Sequence, residues 1–406
     1  MLIGHSCPGN LDRSIHIAYT ILRILLRRGT MYVKSFRGQN IGEIQRELST
    51  VLAEGDRPTL AIVFGSLVHD LAQLSTLFKQ AGIDVFGAST AGEIIADGSA
   101  GCVYNETIAG LLLKVKKERY KIALIDSHDK SSYQAGREAA EWALSMFSHP
   151  VVLLVSAGLT ADGEQIVRGV VERSNGQIRL YGGLAGDDLQ HMKPVVFTHD
   201  ALSAEGIVVL ALDNDVIDVE GTSASGWQGV GTIKTITKAE GNVVYTIDDQ
   251  PALDVYKRYL SSFGVNDVQV NAEYPLQVMR PEGYYVLRSV MRVDEASKSL
   301  IYAGTVPTGA KTKFSVYPGT EIINAAKEEM AALRKDTSHA DFLLLFSCAT
   351  RQLALGPMVE DEIEYMQQLW GVPLLGFFTY GEIGMNKSGN CDFYNSTCVL
   401  VTLKEK

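Results

Sequence analysis

VFGASTAGEI (residues 85–94) and LLGFFTYGEI (residues 374–383) state one pattern twice, almost three hundred positions apart. In both, the first glycine lies six positions before the glutamate: Gly87 and Glu93, then Gly376 and Glu382. Each copy is followed by a Tyr-Asn pair, Tyr104-Asn105 or Tyr394-Asn395, that opens an apolar run. A partial third copy lies between them: VVLLVSAGLT (151–160), IRLYGGLAGDD (178–188) and GIVVLAL (206–212). Repetition on this scale implies a repeated structural unit, and such units tend to gather their special residues around a shared site.

The runs LAIVFGS, VVLLVSAG and FLLLFSCAT are continuously apolar rather than alternating. That is the pattern of strands covered on both faces. Separated by helix-length stretches, they predict an α/β protein of pseudo-repeated strand–helix–strand–Gly-turn–strand units. Residues 214–340 differ, being rich in β-branched residues and Gly, and predict a β-rich segment between the second and third units. Within it, Ala239-Glu240-Gly241-Asn242 reads as a hairpin turn. PALDVYKRYLSSFG (251–264) reads as a helix opened by proline and closed by glycine. Thr320–Leu333 predicts a helix leading into the last unit. The expected division is an N-terminal extension over 1–30, a domain over 31–215 and another over 216–406. In the extension, Ile15, Ala18, Ile21, Leu22 and Leu25 fall at helical spacing among arginines. It lacks the form of a secretory signal. Met31 reads as a natural beginning, so the extension is expected either as an amphipathic helix that docks on something or, in the favoured reading, as a non-native start.

With 406 residues the chain is long enough for two or more domains. A net charge of −10 argues against nucleic acid or an anionic membrane as the main partner. No apolar run reaches bilayer-spanning length. Five cysteines do not form a disulfide framework, and are expected as free, buried thiols. A cytoplasmic location is expected.

FSCATRQLALGP, EDEIEYM, VPLLGFFTYGEIG and the terminal FYNSTCVLV together resemble the FIST C domain, as do Ser223–Gly231 and Val243–Tyr256. LAIVFGS, VFGASTAGEI and YGGLAGDD are similar to the FIST N domain. The resemblance implies a non-enzymatic, intracellular sensory protein that binds a small ligand, amino acids having been suggested. It also implies a separate signalling partner, such as a histidine kinase or a cyclic-dinucleotide enzyme, since no output segment is recognisable here. Some relatives bind haem and sense nitric oxide. Where the end of the FIST C domain commonly carries His-Asn, this chain has Tyr394-Asn395; tyrosine can ligate haem iron, so haem stays an alternative.

Glycine-rich turns at strand ends let backbone N–H groups approach a ligand, and in α/β sheets ligands lie at the carboxyl ends of strands. The expected ligand-binding set is Ser89, Thr90, Glu93, Gly182, Gly183, Asp187, Arg351, Thr379, Tyr380, Glu382 and Asn395. Arginine would clamp a carboxylate and glutamate an ammonium group, the ligand bridging the turns and shifting the domains. The plainer reading is that the glutamates bond neighbouring backbone N–H groups and Arg351 forms a structural ion pair. Trp227 is expected as core or lid packing. Because Arg351 has no basic counterpart at Val68 or His69, recognition is expected to concentrate in the C-terminal half. Enzyme readings fare worse: LVSAG and GASTAG lack the G-x-S-x-G frame, and no phosphate-binding Gly-Lys-Ser/Thr occurs. Glu93, Asp187 and Glu382 meeting at a hard metal ion is a further alternative.

Overall fold

The computed structural model describes residues 31–98, 101–159, 161–261, 274–337 and 339–406. The predicted N-terminal extension and the end of the 251–264 helix lie outside them. Within them the protein is mixed α/β, with strands arranged in four sheets.

Three of the sheets share one order. In each, a parallel pair lies at the centre: Leu60–Gly65 with Asp84–Ser89, Pro150–Ser156 with Arg179–Leu184, and Phe342–Cys348 with Leu374–Thr379. Beside the first strand of each pair runs an antiparallel strand that closes the unit: Ile108–Lys114, Gly206–Asp213 or Cys398–Glu405. Outside that lies the unit's opening strand: Tyr32–Gly38, Tyr120–Asp126 or Ile217–Ala224.

The other edge of each sheet is donated by a different unit. Glu93–Ala96, from the first copy of the motif, pairs with Leu374–Thr379 in the third sheet. Glu382–Met385, from the last copy, pairs with Arg179–Leu184 in the second. Val196–Phe197, which follows the GGLAGDD turn, pairs with Asp84–Ser89 in the first. First feeds third, third feeds second, and second feeds first, so the exchange closes on itself.

Strand side chains explain the continuous apolar runs. Leu60, Ile62 and Phe64, with Leu153, Val155, Leu344 and Phe346, point into one core shared by the three sheets. Phe64 and Phe377 lie 4.5 Å apart by ring centroid within it. The alternate residues face outward under helices: Ala61 and Val63 under Ile41–Ala53 and Leu71–Gln80, Val152 and Leu154 under Ser132–Met146 and Gly163–Ser174. Leu343 and Leu345 face Glu321–Asp336 and Val359–Trp370. Both faces are therefore apolar, and each fully buried large side chain contributes roughly 1.5–3 kcal/mol. The helices begin where the sequence caps them: Asp70 accepts from the N–H groups of Ala72 and Gln73, Asp162 from that of Gln165, and Ser131 forms a capping box with Gln134.

The β-rich stretch forms the fourth, eight-stranded sheet. Its place differs from the sequence reading. Ile217–Ala224 already belongs to the third sheet, so the stretch from Gln228 to Val316 is inserted inside the third unit, not ahead of it. Periodicity alone could not show this, because the partner of Ile217–Ala224 is the last strand of the chain. The hairpin at Gly241-Asn242 and the helix Glu321–Asp336 form as expected. The cysteines among the described residues are free, with Cys102, Cys348 and Cys398 buried.

Candidate functional site

The strand exchange brings the three Gly-rich turns together. Ala91 N–H donates to Phe378 O (3.0 Å) and Phe378 N–H to Gly92 O (2.9 Å). Tyr380 N–H donates to Leu184 O (3.0 Å) and Leu184 N–H to Gly381 O (2.8 Å). Gly186 N–H donates to Ser89 O (3.1 Å) and Asp188 N–H to Thr90 O (2.8 Å), closing the ring. Glycine is required at this approach: a Cβ on Gly186 would stand 2.5 Å from Ala91 N.

The expected site residues are thus gathered, but they face inward and bond to the protein. Thr90 Oγ1 donates to Glu93, whose other oxygen accepts from Thr107 N–H (3.0 Å) and Thr107 Oγ1 (2.8 Å). The last copy repeats this: Thr379 Oγ1 donates to Glu382, which also accepts from Thr397 N–H at 3.2 Å. Both glutamates are wholly buried. Burial pushes the Glu93 carboxyl up to about 7, against the pull of its threonine partners. Burial likewise raises Glu382, with Thr379, Thr397, Cys348 and the Arg351 charge opposing it. Ser89 Oγ donates to Gly186 O (2.6 Å) and accepts from Val195 N–H (2.8 Å). Gly182 and Gly183 lie in the second sheet against Leu154 and Thr379. Asp187 accepts from the N–H groups of His191, Met192 and Lys193 and from the Tyr380 hydroxyl. Although burial works the other way, these donors hold Asp187 below its ordinary range. His191 stacks on Tyr380, centroids 4.8 Å apart.

Arg351, also wholly buried, forms an ion pair with Glu362 rather than with a motif glutamate. It donates to Ser225 O and lies 5.7 Å from the ring centroid of Trp227. Burial alone would lower its pKa, but the Glu362 carboxylate keeps it charged. Asn395 is buried, and its Oδ1 has no hydrogen-bond partner. Among the described residues, no group of three or more His, Cys, Asp or Glu side chains is placed to hold a metal ion. The three acids of the metal alternative are instead occupied by hydroxyl and backbone donors.

The open space is elsewhere. A cleft of about 900 Å³ lies where the inserted sheet meets the third unit. One wall is the link Ser223–Gly229, including Trp227; another is the first half of helix Glu321–Asp336, presenting Glu321, Asn324, Glu328 and Glu329. Gln277, Tyr284, Tyr285 and Lys313 come from the inserted sheet, and Asn386, Lys387, Tyr394 and Thr397 from the end of the chain. The Tyr394 hydroxyl is the chemical anomaly. The residue is 4% exposed and, among the described residues, makes no hydrogen bond of ordinary geometry, Ser223 being a weak partner that opposes the rise that burial gives its pKa. The inserted sheet is tied to the second unit and the chain end by Arg280, paired with Glu164 (2.9 Å) and Asp392 (2.8 Å), and by Arg288, paired with Glu164 (2.8 Å).

Of the predicted residues none lines this cleft, yet three stand directly behind its wall: Arg351 behind Ser225 and Trp227, Glu382 behind Thr397, and Asn395 beside Tyr394. Tyr394, marked by the repeated Tyr-Asn pair and expected only as an alternative haem ligand, lines the cleft without having been in the predicted ligand-binding set. The helix-321 residues carried no motif signal at all.

No curated protein matches the chain. Residues 59–250 match the FIST N domain and residues 252–385 the FIST C domain. Domains of this kind are taken as small-ligand-binding sensory modules of signal transduction rather than catalysts. The matches cover most of the chain, with Ser223–Gly231, expected in the FIST C domain, falling inside the FIST N match, and the protein belongs to the FIST family.

Proposed function

We propose that the protein senses a small zwitterionic ligand, of the amino-acid class, in the cleft between the inserted sheet and the third unit, and acts on a separate output protein. The Tyr394 hydroxyl carries this reading. A buried polar group left unpaired costs about 1–3 kcal/mol, which a ligand atom bonded to it would recover. Around it stand cations for a carboxylate (Lys313, Lys387), anions for an ammonium group (Glu321, Glu328, Glu329) and aromatic faces for a side chain (Trp227, Tyr284, Tyr285).

In this reading the sequence-chosen residues position the cleft rather than line it. Arg351 fixes the Ser225–Trp227 wall. Glu382 and Thr379 fix Thr397, and Asn395 sets Tyr394. Ser89, Thr90, Glu93, Gly182, Gly183, Asp187 and Tyr380 form the ring of turns through which a movement at the cleft would reach the other sheets. Recognition in the C-terminal half follows from the cleft's lining, which spans residues 223–397. Binding becomes a signal only if the ligand prefers one of two arrangements of the inserted sheet. The output protein is of the histidine-kinase or cyclic-dinucleotide type, in the cytoplasm.

A haem pocket fits these residues poorly. Among the described residues no histidine or cysteine lines the cleft, and burial together with the Asp392 charge opposes the phenolate that iron would need from Tyr394. A thermal-shift panel of amino acids tests the proposal. A selective ligand should raise the melting temperature, and both Tyr394→Phe and Asn324→Ala should weaken the shift. A panel with no stabilising member, or a shift that both variants retain in full, rules the cleft out for this ligand class.

A further inference from the structure

A second cavity, of about 230 Å³, lies far along the chain from the cleft residues, in the second unit. It opens at the carboxyl end of strand Pro150–Ser156, between that strand and the first turn of helix Ser132–Met146. Ser156 lines it while only 1% exposed, and its hydroxyl makes no hydrogen bond to any described residue. Ser132 Oγ accepts from Asp162 N–H at 2.9 Å, which leaves its own O–H to donate. Lys130 and His128 add donors at the rim, where the Glu205 carboxylate also stands. Lys130 uses one N–H on Glu138, and the His128 Nδ1 faces Glu205, leaving Nε2 open.

The first sheet shows what such a strand end accepts. At the carboxyl end of Leu60–Gly65, the Asp188 carboxylate takes hydrogen bonds from Ser66 Oγ (2.8 Å) and Leu67 N–H (3.2 Å), just ahead of helix Leu71–Gln80. There an anionic group from the protein itself fills the position. In the second unit the position of Ser66 is taken by Ala157, whose N–H likewise donates to the closing strand (Gly206 O, 3.1 Å), and the preceding residue, Ser156, lines a cavity.

We infer that the second unit carries a separate binding site for a small oxyanion, a carboxylate or phosphate group. It would be held by the hydroxyls of Ser156 and Ser132, by Lys130 and by the N-terminal end of helix Ser132–Met146. A buried hydroxyl, a charge and a helix N-terminus converging on one small cavity favour an anion over a neutral ligand. Ser156 O also accepts from Ala185 N–H (2.8 Å), so an occupant of this site would bear directly on the turn that enters the ring.

The test is a titration of the whole chain with inorganic phosphate and, separately, with acetate at constant ionic strength, followed by amide chemical shifts and calorimetry. Saturable shifts at Ser132 and Ser156 are expected with at least one of them. Saturation by phosphate alone assigns a phosphate-bearing ligand, and by acetate alone a carboxylate. Ser156→Ala and Lys130→Ala should each weaken binding about tenfold, in keeping with the loss of one charge-assisted or buried donor. Lys116→Ala, an exposed lysine that lines neither cavity, should bind as the wild type. Lys130 is at the rim, so its replacement leaves the fold intact even if Ser156→Ala does not. Unsaturable drift with both anions, or Lys130→Ala binding as tightly as wild type, overturns the inference.

Discussion

Glu93 and Glu382 occupy matching positions and receive matching partners, a threonine three residues before and another fourteen or fifteen residues after. The consequence is a pH dependence of known sign. Glu93 is raised from an ordinary 4.5 to about 7 in the folded state. Its neutral form fits the fold, so its stabilising contribution is complete below the unfolded value and is lost as pH rises through 7. The shift corresponds to about 3 kcal/mol at most. Glu382, raised by burial as well, acts in the same direction. Melting temperature should therefore fall from about pH 5 to about pH 8, and Glu93→Gln should flatten that slope. An unchanged slope in Glu93→Gln would show that the carboxyl is already ionised in the fold. Arg351 teaches a different lesson at this scale. An arginine after a strand end looked free to meet a ligand, but eleven residues on the chain supplies Glu362 on the next helix, and that pair together with Ser225 O occupies the guanidinium. Breaking such a pair costs about 3–5 kcal/mol, because one charge is left stranded.

Elements explain why glycine recurs in these turns. Gly182 sits at φ 151°, and a Cβ there would lie 1.8 Å from Leu154 O in the neighbouring parallel strand. Gly182→Ala should separate the central pair of the second sheet and prevent soluble folding. Gly176→Ala, at φ 72° but with open space around it, should cost only about 1 kcal/mol of backbone strain. Solubility and denaturant midpoints of the two variants would compare them; equal tolerance would refute the steric argument. The same element scale accounts for the continuous apolar strands, each covered by the shared core on one face and by its helices on the other.

At the scale of the whole molecule, the exchange of edge strands ties the two matched domains into one fold. Glu93–Ala96 from the first lies on Leu374–Thr379 of the second, and Ile217–Ala224 on Cys398–Glu405. A chain ending at residue 250 loses both partners and leaves exposed edges. Residues 31–250 and 251–406 should each fail to unfold cooperatively when expressed alone, and should recover a single cooperative transition when co-expressed. A cooperative transition in 31–250 by itself would contradict this. The cleft belongs to the same scale, since its walls come from the inserted sheet, a helix of the third unit and the chain end.

The α/β class and family membership were legible in the sequence, because continuous apolar runs and Gly-x₅-Glu turns depend on local backbone and on burial of whole strands. The meeting of the three repeated Gly-rich turns was also legible, as a consequence of repetition. What the residues would do there was not. A buried carboxylate three residues from a threonine reads the same in sequence as one facing a ligand, and only packing distinguishes them. The place of the β-rich insertion, the return of each hairpin to another unit's sheet and the unpaired Tyr394 hydroxyl were decided by tertiary structure alone. Each rests on contacts between residues far apart in the chain, and no local pattern encodes which distant strand or helix will cover a given face.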